Sequence, residues 1–101
     1  MRPAVLTQSE ITERLKKLAP WTCADNKLKR TFGFKDFREA FAFMTVVAEE
    51  AEALNHHPDW KNIYNQLWVE LNTHDAGGVT ELDFELAQKM ENHFKEFSQN
   101  L

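Results

Sequence analysis

The sequence predicts an α+β fold: a four-stranded antiparallel sheet with three helices packed on one face, in the order α-β-β-α-β-β-α. Three observations carry that expectation. Between Phe37 and Leu54 apolar residues return at steps of three and four, the period of a helix with a wide buried face. Lys27–Phe34 and Leu67–Thr73 alternate with period two instead, as strands with one buried face do. Thr7–Glu10 and Thr80–Asp83 are N-terminal boxes, each followed by a further helical stripe.

In chain order, Thr7 is the N-cap of the first helix and Glu10 reaches back to it. Ile11, Leu15 and Leu18 form its apolar stripe, and Pro20 ends it. Trp21-Thr-Cys-Ala is β-compatible, and Asp25-Asn26 offers a turn into the alternating segment. Leu28, Phe32 and Phe34 take one face of that strand and Lys27, Lys29 and Thr31 the other. Arg30 interrupts the apolar face, which is therefore expected to be wet at one place. Asp36 caps the central helix, with Phe37, Phe41, Met44, Ala48 and Ala51 as one stripe and Ala40, Phe43, Val47 and Leu54 as a second. Pro58 disfavours helical geometry at His57, so the helix is expected to end near Asn55. Asp59–Tyr64 and Leu67–Thr73 read as a second hairpin turning near Asn65-Gln66. Asp75-Ala-Gly77-Gly78 is a loop, and Leu86, Ala87, Met90, Phe94 and Phe97 give the last helix its inward stripe. The uncovered sheet face carries Lys27, Lys29, Trp68 and Glu70; this face, or an unpaired edge strand, is a candidate oligomer contact.

Composition narrows the function. A chain of 101 residues makes one domain, 1–101, and 43% hydrophobic residues suffice for a packed core. The net charge of −4, with no basic stripe, disfavours direct nucleic-acid binding. No apolar run approaches a membrane span, and Met1-Arg-Pro-Ala-Val-Leu is too short for a signal peptide, so a cytoplasmic protein is expected. The lone Cys23 cannot form an internal disulfide.

Three of the four histidines, His56, His57 and His74, fall between Glu52 and Asp83, at the ends of predicted elements. Each alone has an ordinary explanation as a hydrogen-bonded or surface residue. Asp83 is accounted for as the capping partner of Thr80, Glu52 as a solvated helix residue, and His93 as an exposed one. Zinc or iron could draw on the histidines with Glu52, Asp59, Asp75 and Asp83, but no two-histidine spacing on one helix face is present, and no metal is expected. Cys23 has no histidine near it in sequence, no serine sits in a Gly-x-Ser-x-Gly elbow, and Gly77-Gly78 is not a P-loop. Acid–base work by imidazoles, which titrate near neutral pH, remains.

Glu52-x-x-x-His56-His57-Pro58, followed by Tyr64, His74 and Asp83 at these separations, resembles the pterin-4a-carbinolamine dehydratase family. The resemblance extends to Trp21, Thr31–Phe37, Asn62-x-Tyr64, Leu71-x-Thr73-His74 and Gly78-Val-Thr80-x-x-Asp83. It implies that 4a-hydroxytetrahydropterin loses water to give quinonoid dihydropterin, recycling the cofactor of aromatic amino acid hydroxylases. It implies no cofactor, the pterin being the substrate. His56 and His74 become the acid/base pair, His57 orients the pterin, and Glu52 tunes His56. Pro58, Thr73, Asp75 and Ala76 line the pterin pocket, Trp21 walls it, and Asp83 counts among the substrate-binding residues. Some members carry a basic residue before the aspartate matched by Asp83, where this chain has Leu82, which puts in doubt any pterin contact from that position. The resemblance also implies a homodimer or homotetramer, and it supplies a rival function, since animal members serve as dimerisation cofactors of a homeodomain transcription factor: a non-catalytic partner-binding module.

Overall fold

The computed structural model describes residues 4–98, the side chain of Ser98 excepted. Met1, Arg2 and Pro3, the start of the segment read for a signal peptide, lie outside the described residues. The elements follow the expected order: α1 (Gln8–Leu15), β1 (Thr22–Ala24), β2 (Lys27–Gly33), α2 (Phe37–Leu54), β3 (Asp59–Ile63), β4 (Gln66–Leu71), and α3 (Glu81–Ser98), with one 3₁₀ turn at His74–Ala76. The capping box at Thr7 is complete: Glu10 N–H donates to Thr7 Oγ1 at 3.1 Å, and Thr7 N–H to Glu10 Oε1 at 2.8 Å. The helix is shorter than its apolar stripe. It ends at Leu15, and Leu18 reaches the core through backbone turns in which Leu18 N–H donates to Leu15 O.

The strands lie in the order β1-β2-β4-β3, and every neighbouring pair is antiparallel. Two antiparallel steps make β2 and β3 parallel, with β4 between them and α2 as the connection. This topology places the site. Asp59 opens β3 opposite Glu70 near the close of β4, so the chain entering β3 and the chain leaving β4 lie side by side at one end of the sheet.

Leu28, Phe32, Leu67, Val69 and Leu71 on the inner face are fully or almost fully buried against the helices. Phe32 centres an aromatic cluster, with Phe43 of α2 and Phe94 of α3 each 4.9 Å away between ring centroids. The two stripes read on α2 enter this core unequally. Ala40, Phe43, Val47 and Ala51 are buried, whereas Phe37 and Phe41 stack on each other outside, 48% and 54% exposed. A helix lying along a sheet turns about a third of its circumference inward, and the Phe37–Phe41 end of the first stripe falls beyond that arc.

Arg30 corrects the expectation of a wet spot. Its guanidinium grips Glu91 of α3, with Nε to Oε2 at 2.7 Å and Nη2 to Oε1 at 3.3 Å, and lies 4.1 Å from the Phe32 ring centroid. Trp21 Nε1–H donates to the same Oε2 at 2.7 Å. Both charged side chains are nearly covered, at 11% and 14% exposure, so the inward arginine is matched by a carboxylate rather than by water. His93 is not simply exposed either: its Nε2 lies 2.7 Å from Glu50 Oε2 and joins α3 to α2.

Two measurements follow from these pairs. Glu91→Ala leaves a nearly buried guanidinium and an indole N–H without their acceptor, and urea denaturation should register a loss of about 3 kcal/mol. The double change Arg30→Met with Glu91→Met should cost less than Glu91→Ala alone, because no charge is stranded. The hydrogen bond from His93, with Lys89 nearby, holds the Glu50 carboxyl below the usual carboxylate range. A depressed folded-state carboxyl contributes stability above its unfolded value and loses it as pH falls through the folded one. Glu50→Gln should therefore destabilise the protein by less than ~1 kcal/mol near neutral pH. Melting curves of variant and parent should converge in acid.

Candidate active site

α2 stops because Asn55 turns left-handed, at φ 50°, a conformation asparagine tolerates better than most residues. Asn55 N–H donates to Glu52 O at 3.1 Å and His56 N–H to Ala51 O at 3.0 Å, the paired bonds of a Schellman ending. The reversal swings His56 inward, where only 7% of it stays exposed, and leaves His57 outside.

At the neighbouring strand end, β4 closes at Leu71 and Thr73 bridges to Gly78, with Thr73 N–H donating to Gly78 O at 2.8 Å. Between them the chain makes the 3₁₀ turn His74–Ala76 and returns through Gly77 at φ 86°, where a side chain would be strained. His74 thus belongs to a turn held on the strand end rather than to the strand itself.

The two ends enclose a cleft of about 250 Å³. Asn55, His56 and His57 line it from the close of α2, and Asn72, Thr73, His74 and Asp75 from beyond β4. All three candidate histidines therefore share one cavity, together with Thr73 and Asp75. Pro58 follows His57 and Ala76 closes the 3₁₀ turn, both half-buried at the margin rather than in the lining.

Glu52, Asp83 and Trp21 sit elsewhere than anticipated. Glu52 pairs with His57, Oε2 to Nε2 at 2.6 Å, and not with His56; the left-handed Asn55 breaks the helical spacing that would have aligned Glu52 with His56. Both partners are open to solvent, at 74% and 56% exposure. Asp83 has no exposed surface and lies behind His56, its Oδ1 2.6 Å from Nε2. Trp21 is 3% exposed, packed edge-on to Phe32 and bonded to Glu91, and it does not line the cleft.

The buried carboxylate is part of a wider network. Asp83 Oδ2 accepts from Thr80 N–H at 2.9 Å and from Thr73 Oγ1 at 3.0 Å, and the two threonine hydroxyls are 2.6 Å apart. Thr80 Oγ1 accepts from Leu82 N–H at 3.2 Å, completing the reciprocal capping of α3. The capping role read for Asp83 is present; the hydrogen bond to His56 is added to it. Asn55 and Asn72 were missed as lining residues, although an asparagine closing a helical stripe is a signal for the left-handed turn that places it there.

Other chemistry finds less support. Burial raises the Cys23 thiol above its ordinary value, which disfavours the reactive thiolate. A larger cavity of about 450 Å³ beside Cys23 and Ile11 contains no imidazole. Among the described residues, no three histidine, cysteine, aspartate or glutamate side chains converge to hold a metal ion, and no helix is long and apolar enough to cross a membrane.

Comparison with known proteins identifies the family. The family model described as pterin 4 alpha carbinolamine dehydratase matches residues 4–93. A relative from Solibacter usitatus, provisionally named a pterin-4-alpha-carbinolamine dehydratase, is 51% identical over 86 residues, covering 85% of this chain and 90% of its own. One from Mesorhizobium japonicum with the same provisional name is 53% identical over 91 residues, covering 88% and 93%. The crystal structure of a transcriptional coactivator/pterin dehydratase from Brucella melitensis superimposes with a TM-score of 0.86 at 47% identity, covering 88% of this chain and 97% of that one. With the match running through both ends of the cleft, this chain belongs to the pterin-4a-carbinolamine dehydratase family of hydro-lyases.

Proposed function

We propose that this protein dehydrates 4a-hydroxytetrahydropterin to quinonoid dihydropterin through acid–base catalysis by its histidines, without a metal or organic cofactor, and so recycles the pterin of aromatic amino acid hydroxylases. The observation that carries the proposal is the cleft in which His56, His57 and His74 meet from two separate chain ends. The reaction breaks the C4a–O bond, removes the N5 proton and forms a C4a=N5 double bond, while the departing hydroxide takes up a proton and leaves as water. It needs one proton acceptor and one donor on either side of a flat ring, and no oxidant. His56 and His74, on opposing chain ends, supply that pair, and His57, braced by Glu52, orients the ring. Proton transfer of this kind contributes ~10²–10⁴-fold for each group.

A homo-oligomer in the cytoplasm belongs to the same proposal. Exposed Phe37, Phe41, Ile63 and Tyr64 and the unpaired outer edges of β1 and β3 support the oligomer. The Brucella protein is described as a transcriptional coactivator as well as a pterin dehydratase, which favours a second reading, a partner-binding module of the same fold.

Loss of enzymatically generated 4a-hydroxytetrahydropterin should be faster with the protein than in buffer. His56→Ala and His74→Ala should each remove about 100-fold or more of that acceleration. Circular dichroism should show both variants folded. A double variant as fast as the parent would overturn the mechanism, and a parent no faster than buffer would leave the module reading in possession.

A further inference from the structure

We propose that the substrate cleft continues onto the open face of the sheet, and that this extension selects a pterin whose C6 substituent is a short, uncharged, hydroxylated chain. The inference rests on the dehydratase reading for the ring and adds the chemistry of its side chain.

Strand register carries the cleft outward. Asp59 of β3 stands opposite Glu70 of β4, and Lys61 opposite Trp68. Two residues nearer the close of α2, the same face reaches His57 and Asn72, which line the cleft. Burial follows this alternation: His57, Asp59 and Lys61 are exposed, while Asn72, Glu70 and Trp68 alternate with the buried Thr73, Leu71 and Val69. The pairs His57–Asn72, Asp59–Glu70 and Lys61–Trp68 therefore form one ladder, with about 7 Å between rungs. A depression of about 230 Å³ lies on its outer two rungs, lined by Asp59, Trp60, Lys61, Trp68 and Glu70. The two cavities follow one another along the same strand pair.

The charges of this lining define what fits it. Carboxylates directly opposite each other across two strands repel. Glu70 is compensated, with Lys27 Nζ 3.3 Å from its Oε1 and Lys29 Nζ 3.5 Å from its Oε2. Asp59 is not: its carboxylate has no hydrogen bond or ion pair to a described residue, and neither does the Asn72 carboxamide. An anionic arm leaving the cleft would meet Asp59. A cationic one would meet Lys27 and Lys29 on Glu70, and then Lys61, whose Nζ lies 5.6 Å from the Trp68 ring centroid. A neutral hydroxyl donates to Asp59 and accepts from the Asn72 amide without adding charge.

The ring directs its substituent the same way. C6 is bonded to N5, the atom that loses its proton, so a group on C6 leaves the ring beside the imidazoles. Behind His56 the way is closed by Asp83, which has no exposed surface. On the side of the exposed His57 and half-buried Asn72 the cleft opens toward the sheet face. The about 7 Å to the next rung is spanned by a three-carbon arm and the Asp59 side chain together.

Two unreactive aromatic pterins test this by binding alone, one carrying a methyl group on C6 and the other a trihydroxypropyl chain. Each is titrated into the full-length protein and followed in ¹H–¹⁵N spectra. The hydroxylated ligand should bind about tenfold more tightly, the factor that one hydrogen bond to a charged group supplies. It should also shift the amide signals of Asp59 and Glu70, which the methyl ligand should leave in place. Asp59→Ala should bring the two affinities to within about twofold of each other. Equal affinities in the parent, or a preference that survives Asp59→Ala, would overturn the proposal. So would tighter binding of the phosphate monoester of the hydroxylated chain, which would assign the extension to an anionic arm reaching Lys61. A parent that shows the preference without accelerating dehydration would sustain the extension and defeat the dehydratase reading. One that dehydrates both 4a-hydroxy adducts with the same kcat/KM would do the reverse.

Discussion

Asp83 has no exposed surface, yet its two carboxylate oxygens take contacts from three parts of the chain: His56 after α2, Thr73 after β4, and Thr80 before α3. A charge withdrawn from water is costly unless donors replace its hydration, and removing one partner of such a group costs more than forming the pair gains. The carboxylate consequently constrains all three segments at once. The left-handed turn at Asn55, the bridge from Thr73 to Gly78 and the capping of α3 must coexist for it to be satisfied. Both walls of the cleft are built from these same segments.

α3 repeats the device farther along the same face. Asp83 and Glu91 are two turns apart among Leu86, Ala87 and Met90, and each lies against a nitrogen partner from another element. Glu91 ties α3 to β2 through Arg30 and to the segment before β1 through Trp21. Apolar packing alone would tolerate some sliding of a helix over a sheet. A bidentate guanidinium–carboxylate contact at one end and a hydrogen-bonded carboxylate at the other admit one register. This fixes the distance between the aromatic core and the cleft.

The three imidazoles form a gradient of exposure. His56 is buried and oriented from behind, His57 is open and paired with an exposed glutamate, and His74 is exposed on a tight turn. Water competes with hydrogen bonds at the open end and cannot at the buried one. The cavity thus combines one fixed ring with two adaptable ones.

The sequence determined the identity and order of the elements, because helical and strand periods, capping boxes and the proline after His57 are local properties of the chain. It also determined which imidazoles were candidates, since their spacing with Glu52, Tyr64 and Asp83 is what carried the resemblance to the family. Tertiary structure decided who pairs with whom. Arg30 and Glu91 are 61 positions apart, and His56 and Asp83 are 27 apart; no period within either segment specifies such a meeting. Glu52 went to His57 because one left-handed residue broke the helical spacing, Trp21 went to the core because Glu91 waited there for its N–H, and Phe37 and Phe41 stayed outside because the arc of α2 facing the sheet was already filled. Periodicity says which face of an element is apolar, whereas the partner of a buried polar group depends on strand order, which emerges only when the whole sheet has closed.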